Sequence, residues 1–291
     1  MKNILVTGGN GQVGSELQVV AKNQSIYQFF FTDAADLDIT NQEAVLAYFQ
    51  KNNIQTCINC AAYTAVDKAE SSPEIAKSVN VDGAENLAKA CAENGAKLVH
   101  LSTDYVYHNS QNTPFKEGDE TNPQGVYAQT KLDGDLVALK TCPNTVILRT
   151  SWVYSSFGNN FVKTMMRLGK ERDALSVVFD QIGTPTYAKD IAEAIFKIIQ
   201  SIDNQDIEKD AWQGVFHYSN EGVTSWYDFA QAIFDIENIN CNLSPIESIQ
   251  YPTPAKRPPF SVLNKGKIKA VFGLKIPHWR TSLRNCLEKL R

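Results

Sequence analysis

The sequence predicts an α/β fold, a doubly wound parallel sheet with a smaller mixed α/β lobe toward the C-terminal end. Three observations carry this. Short apolar runs alternate with amphipathic stretches through the first half of the 291 residues. A glycine-rich turn follows the first of those runs. Beyond Arg149 the alternation loosens and prolines accumulate. Strands that alternate with helices give right-handed βαβ units with helices on both sheet faces.

Taken in order, Asn3 to Val6 reads as a buried strand and Gln12 to Lys22 as an amphipathic helix. Tyr27 to Phe31 is an aromatic strand, Gln42 to Lys51 a helix and Thr56 to Cys60 a strand. Pro73 to Asn94 reads as one long helix, with Pro73 near its start, where a missing N–H costs nothing, and Gly95 as its stop. Lys97 to Ser102 is a strand, Tyr127 to Lys140 a helix and Asn144 to Leu148 a strand. Further helices are expected at Phe161 to Gly169 and Asp190 to Ile199, while the proline-rich stretch Tyr251 to Pro259 is too stiff for a helix interior. Residues 1–150, rejoined by 183–212, are expected to bind a dinucleotide, and 151–182 with 213–291 to form the substrate lobe.

Composition excludes several classes. The net charge is -4 and no basic block stands out, so nucleic acid is not an expected partner. An anionic ligand must then be held by local groups. No apolar run approaches the ~18 residues of a membrane span, and the N-terminal run breaks at Thr7-Gly8-Gly9, too early for a secretory core. The expected location is the cytoplasm. Cys57 and Cys60 form a C-x-x-C, but inside an apparent strand (Thr56 to Ala61), where residues three apart face opposite ways. His100, His108, His217 and His278 lack ligand spacing, so no metal site is expected.

The turn Thr7-Gly8-Gly9-Asn10-Gly11-Gln12-Val13-Gly14 joins the first strand to the first helix. Gly8 permits the tight turn, Gly11 lets the backbone approach a pyrophosphate, and Gly14 lets helix and strand pack closely. Helix N–H groups then face phosphate. This makes a Rossmann-type site for NADH or NADPH. An acidic residue is expected roughly 20 positions on, at the end of the second strand. Asp33 stands there, and its carboxylate suits a ribose 2′-hydroxyl and repels a 2′-phosphate. No Lys or Arg follows before Lys51, so NADH should be accepted. The competing reading of Asp33 is a turn cap.

Tyr127-Ala128-Gln129-Thr130-Lys131 puts a phenol and an ammonium on one helix face. A free phenol titrates near ~10, too high for efficient proton transfer at neutral pH. A nearby cation lowers that value, so Lys131 is expected to tune Tyr127 while holding the nicotinamide ribose. Ser102-Thr103-Asp104-Tyr105 closes the fourth strand, at the sheet edge where ligands sit. Thr103 then completes a Thr-Tyr-Lys triad around a substrate carbonyl.

Five further segments, Asn59 to Glu70, Ser102 to Tyr107, Arg149 to Tyr154, Gly158 to Phe161 and Asp180 to Thr186, span most of the chain in order. Together they resemble the dTDP-4-dehydrorhamnose reductases of the extended short-chain dehydrogenase/reductase superfamily. The resemblance implies NAD(P)H-dependent reduction of dTDP-4-dehydro-L-rhamnose to dTDP-L-rhamnose, a sugar donor for surface polysaccharide. It implies that Gly11, Gln12 and Val13 contact cofactor phosphates, and that Asp38, Ile39, Ala62, Tyr63 and Thr64 line the adenosine and nicotinamide path. Thr103, Asp104, Tyr105 and Trp152 become sugar contacts, an aromatic face suiting sugar C–H groups. Asn160 and Gln181 are implied near sugar or base, and Lys256 and Arg257 near the diphosphate. Asn264 departs from the Asp frequent at its position. Some relatives dimerise through a magnesium ion held by glutamates. Glu16 matches one of these but lacks partners, so no required metal is expected, and a homodimer stays open. The rivals are a nucleotide-sugar epimerase, a 4,6-dehydratase, and a non-catalytic regulatory subunit like that of methionine adenosyltransferase. The dehydratases typically follow Thr-Asp with Glu, and here Tyr105 follows.

Overall fold

The computed structural model describes residues 1–291. Its central sheet contains β1 (Lys2–Thr7), β2 (Tyr27–Thr32), β3 (Thr56–Asn59), β4 (Lys97–Thr103), β5 (Thr145–Thr150) and the strand Gly214–His217. Across the sheet the order is Gly214–His217, β5, β4, β3, β1, β2, and every pairing is parallel. The chain steps from β1 out to β2, then back past β1 to β3. That reversal opens a crevice beyond the strand C-termini, the usual ligand site of such sheets.

Strand alternation sorts the apolar residues onto two faces. Ile4, Val6, Ile58, Val99, Val146, Leu148 and Phe216 pack beneath α1 (Gln12–Ala21) and the helices Ala188–Asp203 and Gly266–Phe272. Leu5, Cys57, Leu98 and Ile147 pack on the other face beneath α2 (Gln42–Asn52) and the helices Gly83–Glu93 and Val126–Thr141. Cys57 and Cys60 thus join different cores, as strand geometry requires.

A third core belongs to the lobe. The helices Phe161–Glu171, Trp226–Glu237 and Trp279–Leu290 enclose Tyr154, Tyr187, Phe229 and Trp279. A parallel pair, Ala174–Val178 with Asn242–Ile246, flanks it.

Two expectations change. Residues 213–291 are not all lobe. Gly214–His217 pairs with β5, and Ile268 and Phe272 are buried against the sheet. An edge strand of four residues carries too short a pattern to separate from loop. The helix expected over 73–94 is present but interrupted, as Pro73–Lys77 and Gly83–Glu93 flank a π turn, Ser78–Asp82. Gly95 does stop it, at φ +63°.

Candidate active site

Gly8 adopts φ +65°, and a Cβ there would lie 2.7 Å from the Ala61 nitrogen. A Cβ on Gly14 would lie 2.3 Å from the Gly8 carbonyl oxygen. Strand, turn and helix therefore meet at backbone contact. No side chain caps α1, whose N-cap is Gly11. Its leading N–H groups and the positive end of its dipole face the crevice, which makes an anion site. Asp33 follows β2, and its Oδ2 accepts from the Asn10 N–H at 3.2 Å.

The π turn positions the helix Val126–Thr141. Its extra residue turns Asn80 so that Oδ1 accepts from the Tyr63 N–H at 2.8 Å and Nδ2 donates to Thr130 Oγ1 at 3.1 Å. One helix is thereby tied to the loop after β3. Gly134 makes the approach possible, since a Cβ there would lie 2.2 Å from the Asn80 carbonyl oxygen. Glu70 holds the helix start, accepting from the Val126 N–H at 2.8 Å. π turns inside helices frequently mark functional sites.

That helix points Tyr127 into the crevice, whose lining it shares with Thr103, and the Tyr105 ring stands edge-on to it at 5.6 Å. Lys131 is buried one turn further on. Its Nζ donates to the Leu101 carbonyl oxygen at 2.7 Å and lies 3.3 Å from His100 Nε2. The expectation that Lys131 lowers the phenol's pKa is corrected here. Burial pushes Tyr127 up to about 12, and burial holds Lys131 down at about 8. In this dry setting desolvation of the phenolate dominates, Asp104 and Asp135 add to it, and only Thr103 opposes.

Asp104 is buried beside Thr103, and burial lifts its carboxyl to about 7. Its Oδ2 and Thr150 Oγ1 have no hydrogen-bond partner, and both residues line the crevice. Trp152 adopts φ +46° and stacks on Trp226 with centroids 3.7 Å apart and planes 9° from parallel. Gly183 makes room, since a Cβ there would lie 2.6 Å from the Trp152 ring.

One cavity of about 900 Å³ collects these groups. It is lined by Gly8, Gly11, Gln12, Val13, Gly14, Asp33, Asp38, Ile39, Ala62, Tyr63 and Thr64 at the dinucleotide end. Thr103, Asp104, Tyr105, Tyr127, Lys131, Trp152 and Asn160 line the rest. Asn160 has its amide engaged. It donates to Gln12 Oε1 at 3.0 Å and caps the helix Phe161–Glu171 through Lys163 N–H.

Three expected residues lie outside the cavity lining. Gln181 donates to Ser248 Oγ at 2.9 Å. Arg257 makes a two-pronged pair with Asp67, at 2.7 and 2.8 Å, because an unpaired guanidinium half out of water would be costly. Lys256 is exposed beside it. Glu16 is buried, with Oε1 accepting from Ser155 Oγ at 2.8 Å and Oε2 3.6 Å from Lys289 Nζ. Trp226 and Asn80 were missed because nothing local marks them, and Glu70, though it closes the Asn59 to Glu70 segment, was given no role. Their parts come from contacts with distant segments.

A dinucleotide-shaped crevice ending at a phenol, a threonine hydroxyl and a buried lysine defines a class, the extended short-chain dehydrogenases and reductases. Residues 1–291 match the family described as the RmlD substrate binding domain. A dTDP-4-dehydrorhamnose reductase of Aggregatibacter actinomycetemcomitans is 40% identical over 98% of both chains. The crystal structure of a dTDP-4-dehydrorhamnose reductase from Clostridium acetobutylicum superposes with a TM-score of 0.93 at 41% identity, covering 99% of each chain. That of the Bacillus anthracis reductase, in complex with NADP, gives a TM-score of 0.92 at 37% identity, covering 99% of this chain and 100% of that one. The chain belongs to the dTDP-4-dehydrorhamnose reductase family.

Proposed function

We propose that the chain reduces the 4-keto group of dTDP-4-dehydro-L-rhamnose to dTDP-L-rhamnose, using NADH or NADPH. The observation that carries this is the meeting of Tyr127, Thr103 and Lys131 in a cavity whose far end is the uncapped start of α1. The residues present suit a dinucleotide. The glycine turn leaves backbone N–H groups facing open space, and the unpartnered oxygens of Asp104 and Thr150 await a polar ligand.

A bound reduced nicotinamide supplies hydride to the ketone carbon. The chain's own groups do the rest. The N-terminus of α1 holds pyrophosphate, with Gly11, Gln12 and Val13 nearest. Asp33 accepts from the adenosine ribose, which favours NADH, although the Bacillus anthracis relative holds NADP. Ile39, Asp38, Ala62, Tyr63 and Thr64 line the path between. Lys131 donates to the second ribose. Tyr127 gives its proton to the ketone oxygen, so one hydride at carbon and one proton at oxygen complete the alcohol. Thr103 orients that oxygen. Asp104, its carboxyl lifted to about 7 by burial, can donate to a sugar hydroxyl in its protonated form. Trp152, braced by Trp226, offers a flat wall to the sugar ring. The groups fit a nucleotide-sugar. No helix is long and apolar enough to cross a membrane.

Oxidation of NADH and NADPH with dTDP-4-dehydro-L-rhamnose tests the reading. Tyr127→Phe should lower kcat by roughly 10²–10⁴-fold, the usual worth of a positioned acid, with dinucleotide affinity nearly unchanged. Unchanged turnover would remove Tyr127 from its role. Cofactor that stays bound while the sugar epimerises, without net oxidation, would favour the epimerase rival.

A further inference from the structure

We propose that His100 is a positioning residue for Lys131: its ring is fixed with the proton on Nε2, and that N–H, aimed at the lysine nitrogen, favours the neutral amine and keeps the ammonium proton labile. The inference rests on the reductase reading, in which Lys131 serves the phenol and the ribose.

The fixing starts in the sheet. Thr7, Asn59 and His100 are register partners on β1, β3 and β4, and their side chains share the face covered by the helix Val126–Thr141. Asn59 Oδ1 accepts from the Ala61 backbone N–H at 3.1 Å and from Thr7 Oγ1 at 2.7 Å. A backbone N–H can only donate, so this oxygen is identified without ambiguity. The Asn59 NH₂ therefore faces His100 Nδ1, at 2.9 Å. An amide NH₂ only donates, so Nδ1 must accept. The ring is also kept uncharged by burial and by Lys131. The single ring proton is then on Nε2.

Nε2 lies 3.3 Å from Lys131 Nζ and 3.8 Å from Asp135 Oδ1. Asp135 Oδ1 has no other partner, while Oδ2 takes Ser102 Oγ at 2.9 Å and Arg149 Nε at 3.1 Å. An imidazole N–H and an ammonium are both donors and cannot bond to each other. When Lys131 is charged, the ring proton has only Asp135 Oδ1 to turn to. When Lys131 is neutral, its lone pair accepts the ring proton directly. The other groups facing Lys131 are Cys60 at the end of β3 and, on its own helix, Tyr127 and Asp135, with Arg149 of β5 behind Asp135. Among these Asp135 and Cys60 favour the charged lysine, so His100 opposes them. The balance leaves the ammonium acidic enough to pass a proton toward the Tyr127 phenolate after each turnover, and the resulting amine takes its replacement from solvent.

The test uses the full chain carrying ¹⁵N-histidine. The nitrogen spectrum of His100 should show Nε2 protonated and Nδ1 bare, and the Nε2 signal should shift as Lys131 titrates. A proton on Nδ1 overturns the proposal. His100→Gln supplies a carbonyl that can accept from the ammonium, and Asn59→Asp should move the ring proton to Nδ1 and leave Nε2 as an acceptor. In each variant the alkaline limb of the kcat profile should move to higher pH by about one unit, roughly a tenfold change, with dinucleotide affinity nearly constant. A folded His100→Gln enzyme whose limb does not move also overturns it. Absence of turnover by the unmodified chain with both dinucleotides overturns the reductase reading instead, and the nitrogen spectrum remains readable in that case.

Discussion

Asp104 concentrates the residue-scale electrostatics of the cavity. Its carboxyl titrates near 3.8 in water and near 7 when folded, because burial penalises the charge. The folded state then holds a proton that the unfolded state has released between those values. Below both values no penalty exists. It grows as pH rises from about 4 and is complete above about 7. Asp104→Asn removes it, so the variant's Tm should exceed the parent's at pH 8 and converge with it at pH 4, measured calorimetrically without ligand. An equal offset at both values would show that the carboxyl is not held neutral. At this scale the sequence was informative where function follows spacing. Tyr127 and Lys131 are one helical turn apart, and Thr103 ends a strand. Direction was less legible. Lys131 turns its nitrogen to Leu101 and His100, and no local pattern records that.

At the scale of elements, the strands and helices of the first 150 residues were legible because each carries an unbroken period, whereas the helices Trp226–Glu237, Gly266–Phe272 and Trp279–Leu290 went unread. The π turn at Ser78–Asp82 was not legible either, since its cause lies on another helix. The residue it adds lets Asn80 reach both Tyr63 and Thr130, and Gly134 lets the two helices touch. Gly134→Ala puts a methyl group into the Asn80 carbonyl, and neither backbone can yield alone. Stability should fall by about 1–3 kcal/mol, as for other overpacked contacts, and kcat should fall with it because Tyr127 rides on the displaced helix. A variant with full kcat and parental Tm would mean that the helices separate freely. Trp226 makes the same point. It supports Trp152 from a different helix, and nothing around position 226 announces it.

Across the whole molecule, one return to the sheet was foreseen, residues 183–212 rejoining 1–150, but sheet and lobe interleave further than that. The chain leaves the sheet after β5, returns for Ala188–Asp203 and Gly214–His217, departs again, and returns for Gly266–Phe272 before ending in the lobe. Asp67 and Arg257 tie the halves once more across the crevice, a contact worth at most about 1 kcal/mol given its exposure. The strand Gly214–His217 escaped the sequence reading because its partner β5 lies far back in the chain.

That interleaving means the two functional halves cannot be separated with a single cut. A polypeptide stopping at residue 150 would leave Val146 and Leu148 of β5 without the helix and edge strand that cover them. Such a fragment should melt without a cooperative transition in circular dichroism, and adding back residues 151–291 as a second polypeptide should restore one. The cleft would then exist only while both pieces remain associated, so in this protein holding the dinucleotide and gripping the sugar are a single folding event.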